Sequence, residues 1–211
     1  MPPKKATQQA VELPPMDIRE VLLRVIGDTS LISHKWSDKA KRQMLEKQMK
    51  KARPSGKEAK DPWMDFCHSL YWLTPMPEYP TQDDVAKARF GMPTVAFKGA
   101  AVNACSHTGK DITKVLARGA FHIDGEMVTI NGTPEIREDM VRIAMGTADI
   151  RYRGEFKKWS ADVTIRYNAS VLSADQIVNL FNIAGFAIGI GEWRPQTNGS
   201  YGMFHVARQG E

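Results

Sequence analysis

Residues 173–207 read SADQIVNLFNIAGFAIGIGEWRPQTNGSYGMFHVA. Ser173 is a good helix N-cap, and Ile177, Val178, Leu180, Phe181 and Ala184 recur at helical spacing, so 173–184 reads as an amphipathic helix with one face in a core. The last eight residues of the stretch, SYGMFHVA, read as a closing strand. Between helix and strand, Gly189, Gly191, Gly199 and Gly202 surround Trp193, Arg194 and Tyr201. Glycines permit positive φ and close backbone approach, and the amides of such loops can cradle phosphate. The order helix, glycines, strand is the reverse of a dinucleotide-binding turn. Tight packing of the loop is the competing reading.

Working towards the N-terminus, VLARGAFHI (115–123), EMVTI (126–130), MVRIAM (140–145), ADIRYR (148–153) and ADVTIRYNA (161–169) read as strands, punctuated by Asn131-Gly132 and Gly146. A turn at Gly91–Gly99 feeds a short helix carrying Ala100, Ala101, Ala104 and Cys105. Residues 17–26, DIREVLLRVI, read as the first strand, turned by Gly27-Asp28. Strand, helix, several strands, helix and final strand make an α+β protein. The order fits a ferredoxin-like (RRM-like) core, β-α-β-β-α-β, with insertions.

The core is expected over 17–34 and 61–208. Residues 1–16, rich in Pro, Gln and Lys without periodicity, read as a disordered tail. Ser37 caps a helix that runs to about Arg53 and stops at Pro54-Ser55-Gly56. Its apolar stripe is thin and its cations are many, so 35–60 reads as a flexible basic helical insertion. The Pro-broken, aromatic-rich stretch 61–80 reads as irregular.

Charge follows the same division. The 211 residues carry a net +5, of which 1–60 hold +7 and 61–211 hold −2. A local basic cluster is an electrostatic footprint for a polyanion, or a solvated helix face. No apolar run is long enough for a membrane helix, and no apolar core follows Lys4-Lys5, so the expectation is a cytoplasmic protein with no membrane partner. Two cysteines, Cys67 and Cys105, read as reduced buried thiols; a disulfide, or a zinc site with His68 and His107, is the alternative.

Two further motifs carry chemistry. MPTVAFKGA (92–100) places Lys98 and Gly99 at a helix start, a natural phosphate seat. RYRGEFKKW (151–159) interleaves Arg151, Arg153, Lys157 and Lys158 with Tyr152, Phe156 and Trp159. Cations on phosphates and rings on bases are how single-strand binders work, unless the rings point into the core.

Taken together, Pro93–Gly99 and the Gly191, Arg194, Gly199, Tyr201, Gly202 loop resemble the repeat-associated mysterious protein (RAMP) superfamily, ferredoxin-like RNA-binding proteins that form the backbone of CRISPR effector complexes. The resemblance covers about residues 90–206. It departs where Glu192-Trp193 separates glycine from arginine, and the compact chain looks like a bacteriophage-encoded relative. It implies a protein that binds single-stranded nucleic acid, RNA ahead of DNA, through its backbone and with little sequence preference. It also implies side-by-side self-assembly along the strand, with CRISPR effector components as further partners. The site residues expected are Lys98, Arg151, Arg153, Lys157, Lys158, Arg194, Tyr201, Lys39, Arg42 and Lys50, with Gly99, Gly189, Gly191, Gly199 and Gly202 shaping backbone approach. No cofactor or metal is expected.

The rival readings are a phage protein–protein module, either structural or a mimic or inhibitor of an effector subunit, and a RAMP-type endoribonuclease. Five scattered histidines and the carboxylates Asp124, Glu126, Glu135, Glu138 and Asp139 form no catalytic spacing, so no enzymatic activity is expected. Asp28 is the one residue loosely comparable to the superfamily's catalytic aspartate.

Overall fold

The computed structural model describes residues 15–36, 38–49, 60–109, 112–143, 147–208 and 210–211. Most of the expected tail, the expected cap Ser37, and 50–59 with Lys50 lie outside the described residues. In chain order the elements are β1 (Ile18–Gly27), β2 (Leu31–Ser33), α1 (Asp38–Gln48), α2 (Pro62–Ser69), β3 (Tyr71–Trp72), α3 (Gln82–Lys87), β4 (Phe90–Pro93), α4 (Thr94–Ala104), α5 (Lys114–Ala120), β5 (Phe121–Ile123), β6 (Met127–Ile130), β7 (Pro134–Ile143), β8 (Thr147–Phe156), β9 (Ser160–Asn168), α6 (Ala174–Ile183) and β10 (Phe204–Val206). The protein is α+β with antiparallel sheets.

The main sheet has the order β10-β1-β9-β5. Its strands follow the period of two that a half-buried sheet demands. On β9, Ala161, Val163, Ile165 and Tyr167 are buried while Asp162 and Arg166 face solvent. Leu23 and Val25 do the same on β1. α6 begins with a capping box: the Ser173 hydroxyl accepts from Gln176 N (3.2 Å), and the Gln176 side chain accepts from Ser173 N (2.9 Å). It buries Ile177, Leu180 and Phe181 against the sheet, then runs into a π-helical turn at Ala184–Ile188 that packs on α4. Phe121 and Phe181, and Phe97 and Phe204, meet in the core at ring separations of 6.2 and 6.0 Å. Each such fully buried ring contributes about 1.5–3 kcal/mol.

A second sheet, β2-β8-β7, is built on a long hairpin, and a third, β3-β4-β6, joins β9 through the Asn131–Ser160 bridge. α2 backs β8: Gly154 N donates to Ser69 Oγ (2.8 Å), and a Cβ at Gly154 would overlap Leu70. On α1 Met44 and Leu45 are exposed, as is Met49 just beyond its end. Lys60, where the described chain resumes, is tied to the hairpin by Asp149 and the Ile150 carbonyl.

Two local expectations are corrected. The run 115–123 is mostly helix α5, because the Thr113 hydroxyl accepts from Leu116 N (3.1 Å) and nucleates it; only Phe121–Ile123 is strand. The stretch 61–80 contains α2, because Asp61 accepts from Trp63 N and Met64 N (3.0 and 3.1 Å) and Pro62 sits in the first turn. Cys67 and Cys105 are both free and buried, and burial pushes the Cys67 thiol up to about 11. Among the described residues no helix is long and apolar enough to cross a membrane.

The solvent face of the main sheet presents Glu20, Leu22, Arg24, Asp162, Arg166, His122 and His205. Among the described residues it carries no Phe, Tyr or Trp, the large rings of an RRM-type stacking platform.

Candidate nucleic-acid interface

The register of the β7–β8 hairpin sets Arg137 opposite Arg153, Asp139 opposite Arg151 and Glu135 opposite Glu155. Alternate residues share a face, so these six side chains lie together. Directly opposed arginines repel, and here carboxylates intervene. Arg137 Nε meets Asp139 at 2.8 Å and Nη1 meets Glu155 at 3.2 Å, while Arg153 Nη1 meets Asp139 at 3.1 Å. Arg153 and Asp139 are only 3% and 5% exposed, and Arg153 Nε has no hydrogen-bond partner among the described residues. Such a pair is costly to bury unless its geometry is good on every side.

The glycine-rich loop lays two rings over this face. The Arg137 guanidinium sits 4.7 Å from the Tyr201 ring centre and 5.3 Å from that of Trp193, and Arg153 sits 5.5 Å from Trp193. Arg137 also donates to the Tyr201 hydroxyl (3.2 Å), and the two rings lie 6.1 Å apart. Although burial opposes the charge of Arg137, its bonds to Asp139 and Tyr201 hold the guanidinium more firmly protonated than usual.

The loop itself is pinned from below. Ile190 N donates to Gly202 O (3.0 Å), Gly202 N to Ser30 O (2.8 Å) and Glu192 N to Ile32 O (3.1 Å). Gly191 and Gly202 hold φ of +77° and +64°, where a Cβ would overlap the carbonyls of Ile32 and Ile190. Trp193 takes φ +50°, an outlier for so bulky a residue. Strain of this kind persists only where the surroundings enforce it, and it gathers at functional sites. On the loop's flank, His34 Nδ1 lies 2.9 Å from Glu192, and this bond holds the Glu192 carboxyl below the usual range against the effect of burial.

The structure distributes the expected site residues widely. Arg153 and Tyr201 belong to the cluster just described. Arg194 braces the loop, donating to Gly191 O (3.0 Å) and Gln196 (3.2 Å). Arg151 is half-buried 3.7 Å from Asp149, Lys157 pairs with Glu135 at 2.6 Å, and Lys158 is exposed. Lys98 is not at a helix start: α4 begins at Thr94, placing Lys98 in its second turn. Its ammonium donates to the carbonyls of Arg118 (3.1 Å) and Phe121 and lies over the Phe121 ring, and burial lowers its pKa. It therefore closes the end of α5 instead of offering itself to a phosphate. Gly99 has open space where its Cβ would be. Gly189 and Gly199, like Gly191 and Gly202, have none, so the four loop glycines serve close packing. Phe156 and Trp159 are buried, and Tyr152 is half-buried against the core, on the strand face opposite Arg151 and Arg153. Arg42 is exposed on α1, where Lys39 also lies; Lys50 is outside the described residues.

No family model and no curated protein matches the chain. Solved structures are similar to it only distantly. The crystal structure of Cmr6 from Pyrococcus furiosus is 9% identical, with 92% of this chain and 100% of that one covered, at a TM-score of 0.44. A chain of a CRISPR RNA-guided surveillance complex is 9% identical over 88% of this chain and 66% of that one, at a TM-score of 0.37. Likeness this distant says nothing about what the chain binds.

Among the described residues there is no group of three or more His, Cys, Asp or Glu side chains placed to hold a metal ion. Asp28, at the end of β1, meets His205 Nδ1 at 2.6 Å, and Glu211 lies 3.4 Å from Nε2. Burial works against the imidazolium, but the two carboxylates outweigh it and raise the His205 pKa. A raised folded pKa stabilises the fold at pH below the unfolded value, and that contribution disappears as pH rises through the folded one. The melting temperature of wild type should therefore exceed that of Asp28→Asn near pH 6, and the gap should close by about pH 8. A gap that stays constant across that window would show that Asp28 acts on something other than His205.

Proposed function

We propose that this protein binds single-stranded nucleic acid, RNA ahead of DNA, on the face formed by the β7–β8 hairpin and the glycine-rich loop of a ferredoxin-like core. The core reading is supported by the sheet order β10-β1-β9-β5 and by the placement of α4 between β1 and β5 and of α6 between β9 and β10. The RNA preference rests on the sequence resemblance of the two turns.

The observation that carries the reading is the Trp193–Arg137–Tyr201 arrangement. Two rings and a guanidinium are held together at the surface by a loop that tolerates a strained tryptophan. Bases stack on such rings and on guanidinium planes whatever their identity. Arg137 and Arg153 are both offset by carboxylates, so this face supplies stacking more than net charge. Phosphate contacts fall to Arg194, Lys158 and the basic segment 35–60 with Lys39, Arg42 and Lys50. The protein acts without catalysis, and neighbouring copies line up along one strand.

Trp193→Ala should weaken binding to a labelled single-stranded oligonucleotide by about 5- to 100-fold, the worth of one base stack, while Trp193→Phe should retain most of the affinity. The salt dependence should be unchanged, because a ring displaces no counterions. Anisotropy titrations of the three proteins read both quantities. Equal affinity for all three would remove the loop from the interface and favour a protein-interaction module.

A further inference from the structure

An exposed tryptophan stands on this molecule some distance along the chain from the loop. Four of the five tryptophans are half-buried or buried, and three of those bond their indole N–H to a carbonyl: Trp63 to Pro80 (2.6 Å), Trp72 to Cys67 (2.8 Å) and Trp159 to Thr29 (2.9 Å). Trp36 is different. It is 56% exposed and lines an open cleft of about 370 Å³. The cleft adds Met76 and Pro77 as apolar surface and Lys35, His68 and Glu78 as polar groups, with the buried Leu70 beneath.

The cleft rests on fixed supports. Lys35 N and Ser33 Oγ both donate to Ser69 O (2.9 and 2.8 Å), and Ser69 Oγ in turn accepts from Gly154 N. Leu70 is fully buried against β8. The residues that precede Trp36 are thus anchored, while the indole itself is exposed. A flat indole beside thioether and proline surface suits a planar ligand. A cation on one side suits its phosphate, and an imidazole with a carboxylate suits the donors and acceptors of a base edge. The volume lies within the range of small-ligand sites. Trp36 lies two residues before the start of basic helix α1, and His34 of the loop flank lies two residues before Trp36, so along the chain the cleft residue stands between the two parts of the interface.

From the exposed Trp36, its apolar companions and the Lys35–His68–Glu78 rim, we propose that this cleft receives one nucleobase of the bound single strand, stacked on Trp36. The proposal rests on the nucleic-acid reading given above and assigns it a second, separate contact.

The test uses the full chain with an oligothymidylate and an abasic oligomer of equal length. Trp36→Ala should weaken oligothymidylate binding by about 5- to 100-fold, and Trp36→Phe should restore most of it. On the abasic oligomer wild type and Trp36→Ala should bind alike, since no base is present to stack. Melting temperatures of both variants should match wild type. If Trp36→Ala binds oligothymidylate like wild type while Trp193→Ala does not, the cleft holds no base and the loop interface stands. If Trp36→Ala weakens both oligomers equally, Trp36 acts through the backbone or through folding, and the base assignment is overturned. If wild type binds neither oligomer, both the cleft and the interface reading fall.

Discussion

Gly202→Val should destabilise the protein by about 3 kcal/mol or more, lowering its melting temperature by roughly 6–12 °C. Two independent effects add. Gly202 sits at φ +64°, a region closed to β-branched residues, and a Cβ there would overlap the Ile190 carbonyl that lies across the loop. Neither neighbour can yield, because Ile190 N is bonded to Gly202 O and Gly202 N to Ser30 O. Gly99→Ala is the matched control. Gly99 is helical and its Cβ would meet nothing, so alanine should leave stability unchanged or raise it. Thermal unfolding of the two variants reads the difference, and a Gly202→Val protein that melts with wild type would mean the loop is not anchored as described.

Asp139→Ala should cost about 3–5 kcal/mol, because it leaves Arg153 buried without the carboxylate it is bonded to. Arg137 loses a partner in the same step. The double variant Asp139→Leu with Arg153→Met should recover most of that loss, since apolar replacement of a buried pair is often neutral or better. The unpartnered Arg153 Nε sharpens the expectation, for the native pair already carries an unsatisfied donor. A double variant as unstable as Asp139→Ala would show that the pair contributes more than mutual neutralisation. Chemical denaturation of wild type, Asp139→Ala, Asp139→Leu, Arg153→Met and the double variant measures the loss and closes the Leu/Met cycle.

Elements with a local cause were legible in the sequence. α6 has its capping box and apolar face, and β9 its alternation; both lie within a residue or so of where they were expected. The helices α2 and α5 were not, although Asp61-Pro62 and Thr113 signal their starts. In each case aromatic or β-branched residues drew attention away from the cap. The candidate site was half legible. Tyr201 and Arg194 stood out in the glycine-rich loop, and Arg153 in its basic run. Arg137 and Asp139 did not, because only the register of β7 on β8 brings them under the loop. Trp193 read as an interruption of a motif, yet it is the residue the loop holds at φ +50° over two arginines. Lys98 shows the opposite error: a lysine beside glycines looks like a phosphate seat until its ammonium is found on backbone carbonyls.

The central claim is single-strand binding, and one titration tests it most directly. Labelled single-stranded RNA and the same sequence as a duplex are titrated with wild-type protein over a series of salt concentrations. The account predicts tighter binding to the single strand at every salt concentration. It also predicts a log–log slope of about −0.7 for each phosphate neutralised, from the cations of the basic segment, over a salt-insensitive remainder from the rings. No binding at low salt, or a preference for the duplex, would contradict it.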